Sequence, residues 1–162
     1  MIWLFERASI ADMDQLVKLR IEYLTEDFGD ISKDQLTQIC EKLPGYYHKH
    51  LNNDLFVFVC RVDDDIVSCC FLLVTEKPSS PSFLNGKIGT VLNVYTKPQY
   101  RRKGIAGKLL KILLSDSEKM ELDHVELKAT DSGYNLYRSI GFEDVVSKYH
   151  NMKFVFESNH RL

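Results

Sequence analysis

The stretch VYTKPQYRRKGIAGKLLKILL, Val94 to Leu114, decides the fold. Ile88 to Thr96 is rich in β-branched residues and reads as a strand, and Pro98 ends it. From Gly104 to Lys119 the apolar residues Ile105, Leu109, Leu110, Leu113 and Leu114 recur at helical spacing. A strand therefore feeds a tight turn, and a helix starts at a glycine with small neighbours. The first amides of a helix have no acceptor within it and carry the positive end of its dipole, so they bind phosphate oxygens. Gly104, Ala106 and Gly107 keep that start bare, and Arg101, Arg102 and Lys103 add positive charge beside it. Two common phosphate motifs do not fit. A GxxxxGK[ST] loop fails because Arg102 stands five before Gly107 and Leu109 follows Lys108. A GxGxxG pattern fails because Ala106 and Leu109 stand at its second and third glycines.

Working outward, Val125 to Ala129 reads as the next strand, so strand, helix and strand form a βαβ crossover with two roughly parallel strands. Upstream, Ile2 to Arg7 predicts a first strand. Ser9 with Asp12 opens a helix that runs to about Phe28, and Ser32 with Gln35 opens a second. Pro44-Gly45 should break or kink that second helix, with a short continuation from Tyr46 to Leu51. Leu55 to Val62 and Ile66 to Thr75 flank Asp63-Asp64-Asp65 as a hairpin, and Lys77 to Gly86 is a loop. Downstream, Ser132 to Ile140 predicts a short helix. Phe142 to Tyr149 and Met152 to Phe156 predict a closing strand pair. The expected order is β-α-α-β-β-β-α-β-α-β-β, an α/β chain with a mixed, α+β-type central sheet flanked by helices. The 162 residues are expected to form one domain, 1–162, large enough to bury about 70% of the unfolded surface.

The net charge is −2, but it is unevenly spread. Residues 1–81 hold 8 Lys/Arg against 14 Asp/Glu, a net of −6, and residues 82–162 hold 13 against 9, a net of +4. A basic run from Lys97 to Lys111 in an acidic chain suggests an anionic ligand at one place and argues against nucleic acid as the partner. Glu6 and Arg7 interrupt the apolar start, so no secretory signal is expected there. No run approaches the roughly 20 apolar residues of a membrane span, so no membrane is expected. Cys40, Cys60, Cys69 and Cys70 lack a framework spacing and read as free thiols of a cytoplasmic protein. No His/Cys/acid cluster has ligand spacing, so no metal is expected.

The six residues Arg101-Arg102-Lys103-Gly104-Ile105-Ala106 resemble the [Q/R]-x-x-G-x-[G/A] motif of the GCN5-related N-acetyltransferases. The context resembles the family as well: Val94-Tyr95-Thr96-Lys97-Pro98-Gln99-Tyr100 before the motif, an amphipathic helix after it, then Leu136-Tyr137 followed by Gly141-Phe142. The element order extends the resemblance over essentially the whole chain. It implies the acyl-CoA N-acyltransferase fold and an enzyme that transfers an acetyl group from acetyl-CoA, as co-substrate, to a primary amine of a small molecule or peptide. A non-catalytic acyl-CoA sensor of the same fold is the alternative. The resemblance leaves room for a homodimer.

It also implies roles for residues. Val94, Tyr95 and Thr96 should hold the pantetheine arm and acetyl group by their backbone. Arg101, Arg102, Lys103, Gly104, Ile105, Ala106 and Gly107 should form the pyrophosphate site. An amide near Val94 or Tyr95 should stabilise the developing oxyanion. Tyr137 matches the family tyrosine that protonates the departing thiolate. Many members carry an Asn where this chain has Thr130, so no such contact is expected here. No base stands on Ile88 to Thr96. Glu22, Glu26 and Asp27 are candidates facing the acceptor, with Asn93 and Tyr95 positioning a water. The acidic N-terminal half hints at a cationic acceptor such as a polyamine or a lysine.

Overall fold

The structure, a computed structural model, describes residues 1–157. Five strands lie in the order β1-β2-β3-β4-β5: Trp3–Arg7, Leu55–Val62, Asp65–Glu76, Lys87–Thr96 and His124–Glu126. Neighbours are antiparallel except β4 and β5, which run parallel as the βαβ reading requires. The helices are α1 (Met13–Phe28), α2 (Lys33–His50), α3 (Ile105–Lys119) and α4 (Asp131–Ile140).

The sheet is buried on both faces, so its central strands read as continuous apolar runs. Leu55, Val57, Val59, Ile66, Cys69 and Phe71 face α1 and α2, packing on Leu16, Leu19 and Tyr47. Phe58, Cys60, Val62, Val67, Cys70 and Leu72 face the other way, onto Ile105, Leu109, Leu110 and Leu113 of α3. Successive residues of β2 alternate between these two cores, and in β3 a register shift against β2 puts Ile66 and Cys69 on one face before alternation resumes.

Three expectations need correction. Pro44 does not break the second helix: α2 runs unbroken through it. Proline costs a helix interior about 3 kcal/mol. Complete burial of Tyr47 in the core, one turn further on, offsets that cost. The strand expected at Val125 to Ala129 is instead His124–Glu126, because its partner β4 diverges after the pair Thr90 and Glu126. The two closing strands are not formed. Residues 142–156 join no strand among the described residues, and Val146, Met152, Phe154 and Phe156 lie exposed. A strand exists only through its partner, and β5 is too short to offer a long edge.

A bulge in β4 sets which of its side chains face which core. Cys69 pairs with Tyr95 and Phe71 with Leu92, so three steps on β4 match two on β3 and Asn93 is the extra residue. Asn93 adopts φ 51°, where asparagine is among the few tolerated side chains. The bulge shifts the phase of the strand. Val91 and Val94 face the α3 core, while Tyr95 faces the α1/α2 core and Leu92 the cavity between those helices.

Candidate active site

β4 continues for six residues past its last pair with β5, to Thr96. The fork between the strands opens a groove of about 620 Å³. Its floor is Val94, Tyr95 and Thr96. Its upper end is Arg101, Arg102, Gly104, Ile105, Ala106 and Gly107. Its walls are Tyr23, Glu26 and Asp27 of α1, together with Thr130, Ser132, Gly133, Leu136 and Tyr137 at α4.

The helix start is built as the sequence suggests. Gly104 caps α3 with φ 77° and ψ 6°, a left-handed conformation that costs other residues energy, and a Cβ there would meet only open space. The first helical bond runs from the Lys108 N–H to the Gly104 carbonyl at 3.1 Å. The amides of Ile105, Ala106 and Gly107 therefore have no acceptor within the helix. They stand at the positive end of a 15-residue helix facing the groove.

The basic residues divide. Arg101 lines the groove, but its guanidinium is engaged. Nε donates to the Thr96 carbonyl at 2.8 Å, and Nη2 donates to Glu26 Oε2 at 2.6 Å. It fastens the loop to α1 and to the end of β4. Arg102 also lines the groove and is exposed, in a left-handed conformation at φ 63°. Lys103 does not line it; its ammonium sits over the Tyr100 ring at 5.6 Å. Lys108 lies 4.2 Å from the centre of the Phe5 ring, turned toward β1.

Tyr137 is mostly buried in the groove wall, its ring edge-on to Phe142 at 5.9 Å. Burial pushes its phenol up to about 12, with smaller contributions from Tyr23 and Cys70. It therefore stays protonated through the neutral range. Handing that proton to a thiolate, ordinary pKa about 8.5, is more uphill than for a free phenol. Tyr23 stands across the groove as a second phenol, also raised, first by burial and then by Asp27. Its place within the α1 stripe hid it among core positions, because periodicity does not separate a core face from a groove wall. Thr130 caps α4 by accepting the Gly133 N–H at 3.3 Å.

Of the acidic candidates, Glu26 and Asp27 line this groove, with Glu26 paired to Arg101, and Glu22 stands beside Tyr95. Burial, followed by Glu22, raises the Tyr95 phenol. At the bulge, Arg20 Nη1 donates to Asn93 Oδ1 at 3.1 Å, and Asn93 Nδ2 stands 3.5 Å from Cys69 Sγ. On the far side of that bulge a second cavity opens between α1 and α2. Tyr46 and Tyr47 both line it.

An acetyltransferase (GNAT) domain model matches residues 53–144. No curated relative matches the sequence. Among solved structures, a predicted acetyltransferase with acetyl-CoA from Clostridium acetobutylicum superposes with TM-score 0.83 at 23% identity, covering 94% of this chain and 96% of that one. A GCN5-related N-acetyltransferase from Ralstonia eutropha gives 0.77 at 20% identity, covering 93% and 99%. Glucosamine-6-phosphate N-acetyltransferase from Arabidopsis thaliana gives 0.64 at 16% identity, covering 97% and 100%. These likenesses concern the fold. The family model spans more than half of the chain, and with it the β4 fork and the bare start of α3: the chain belongs to the GNAT acetyltransferase family.

Proposed function

We propose that this protein transfers the acetyl group of acetyl-CoA to a primary amine of a small molecule or peptide by direct attack. The observation that carries the reading is the continuity of one groove, from the bare amides of α3 down to the open backbone of Val94–Thr96. In this reading the amides of Ile105 to Gly107 hold the pyrophosphate, with Arg102 adding charge, and Arg101 holds the loop in place for them. The backbone of Val94, Tyr95 and Thr96 lies where pairing with β5 has lapsed, which opens that side of the strand to the pantetheine amides, while the Tyr95 and Thr96 carbonyls accept from Ser68 Oγ and Arg101 Nε. The Asn93 bulge turns the next amides toward the groove, where one serves as oxyanion donor. Tyr137 is the proton donor to the leaving thiolate, and Lys103 contributes only long-range charge. Neighbours of the same fold support an amine acceptor of small size: one is named for glucosamine 6-phosphate, another is an aminoglycoside acetyltransferase.

The test is turnover of acetyl-CoA against a panel of amines, with free CoA read by a thiol reagent. Release that depends on the amine and yields the acetylated product is expected. Tight acetyl-CoA binding with no release on any amine would make the chain a binding module instead.

A further inference from the structure

The cavity between α1 and α2 encloses about 1280 Å³. It adjoins the groove across the bulge. Arg20, Leu24 and Phe28 of α1 face the cavity while Tyr23 and Asp27 face the groove, and Leu92 and Val94 stand on either side of Asn93. Its inner walls are apolar, from Leu24, Leu43, Leu55, Phe71 and Leu92, and its mouth is polar, with Ser32, Gln35 and Gln38.

Into these walls the structure sets one half-buried cation. Arg20 donates to Asn93 and has no ion pair among the described residues. A guanidinium has five donors in a planar fork, and among the described residues only the bond to Asn93 is made. Beside it, Tyr47 lines the cavity, and its hydroxyl is buried without a hydrogen-bond partner among the described residues. The Arg20 guanidinium stands over the Tyr23 ring at 5.8 Å and acts electrostatically on Tyr23, Tyr46 and Tyr47, so its charge lies between the groove and the cavity. An unpaired charge is costly to bury, and an anionic group at Arg20 satisfies it. The other charges lining the cavity, Asp30, Asp34 and Lys42, are all exposed at its rim.

We infer that the acceptor is amino-acid-like: a primary amine with a carboxylate close beside it, read by Arg20, and an apolar side group in the α1/α2 cavity. This rests on the acetyl-transfer reading, which puts the acyl end at Val94–Thr96. Arg20 touches the residue before that segment, so an anion on Arg20 lies within a few bonds of the attacking amine. A single inner cation matches a carboxylate better than a phosphate dianion. A guanidinium at this place also repels a polycationic acceptor, the opposite of what the acidic N-terminal half suggests. Four of those fourteen acids are paired elsewhere, Glu6 and Asp12 to Arg61, Glu26 to Arg101 and Asp54 to His50, while Asp30 and Asp34 stand at the exposed rim.

The test compares phenylalanine, phenylalaninamide and 2-aminoethyl phosphate as acceptors for the wild type and for Arg20→Gln. The wild type should favour the carboxylate over the amide by about 10- to 100-fold in kcat/KM, and the ratio should fall toward one in Arg20→Gln. A ratio near one in the wild type, a ratio that survives in Arg20→Gln, or a preference for the phosphate overturns the assignment. A readout independent of turnover is the affinity of N-acetylphenylalanine against N-acetylphenylalaninamide, measured by calorimetry on the protein with CoA. The carboxylate should bind tighter by the same factor, and equal affinities refute the site. Failure of the acetyl-transfer reading shows separately, as acetyl-CoA that does not bind or is not turned over.

Discussion

Gly104 lets the pyrophosphate reading be separated from simple loss of stability, because the chain contains another helix-end glycine away from the groove. Gly104 and Gly29 have φ 77° and 73°, and a Cβ at either would meet no atom within 4 Å. Gly104 has ψ 6°, in the left-handed helical region, so alanine there costs backbone strain alone, about 1–2 kcal/mol. Gly29 has ψ −95°, outside that region, so alanine there costs at least as much. For a domain of this size 1 kcal/mol lowers Tm by about 2–4 °C. Gly104→Ala should thus melt roughly 2–8 °C below the wild type, and Gly29→Ala at least as far below it. The two should differ in ligand binding. A methyl group at Gly104 stands in front of the free amides of Ile105 to Gly107. Losing one or two charge-assisted bonds there, at about 1.5–3 kcal/mol each, weakens acetyl-CoA by about 10-fold or more. Gly104→Asp adds a like charge facing the phosphates and should bind more weakly still. Calorimetric titration with acetyl-CoA, paired with thermal melts, reads both quantities. Wild-type acetyl-CoA affinity in Gly104→Ala, with its Tm lowered, would refute the placement of the pyrophosphate.

Tyr137→Phe keeps the ring and removes the proton, so kcat should fall by about 10²–10⁴-fold with acetyl-CoA affinity little changed; a pre-steady-state rate of acetyl transfer equal to the wild type would make Tyr137 structural. Salt should weaken CoA binding with a slope that flattens in Arg102→Ala but not in Lys108→Ala, whose ammonium lies over Phe5. Dephospho-CoA should bind less tightly than CoA and with a shallower slope; identical slopes for both ligands and all variants would remove the basic run from the site. Burial holds Cys69 up at about 12 and raises Cys60 and Cys70, against an ordinary 9.0. The unfolded chain then loses these protons first as pH rises, so stability should decline from about pH 9 upward. Urea midpoints from pH 7 to 10.5 should show that decline, less steeply in Cys69→Ala, and a flat profile would contradict it.

What the sequence discloses depends on how locally each feature is determined. The start of α3 is legible because Gly104, Ala106 and Gly107 act through their own backbone and lack of bulk. The two faces of β2 are legible because alternation needs no knowledge of partners. Tyr47 and Pro44 show the limit: the proline argues for a break, and only burial of the tyrosine, a tertiary fact, keeps α2 whole. Residues 142–156 show the same limit from the other side. Their β-branched and aromatic residues favour strands, yet pairing depends on an edge that β5, stopped at Glu126, does not extend to them. Of the basic run, sequence cannot assign duties, since Arg101, Lys103 and Lys108 find local partners in Glu26, Tyr100 and Phe5.

Asn93 joins these levels. It carries no alternation signal and belongs to no motif, yet one extra residue in β4 sets the phase of everything after it. Because of the bulge, Tyr95 faces the α1/α2 core and Val94 the α3 core. The left-handed φ leaves the Asn93 side chain between two partners, Arg20 from α1 and Cys69 from β3, which hold it at 3.1 and 3.5 Å. Those contacts tie the wall of the α1/α2 cavity to the strand that floors the groove. In the proposed reading, an acceptor anion on Arg20 would bear on the same asparagine that precedes the Val94 amide, so one side chain would link the proposed acceptor site to the proposed oxyanion donor.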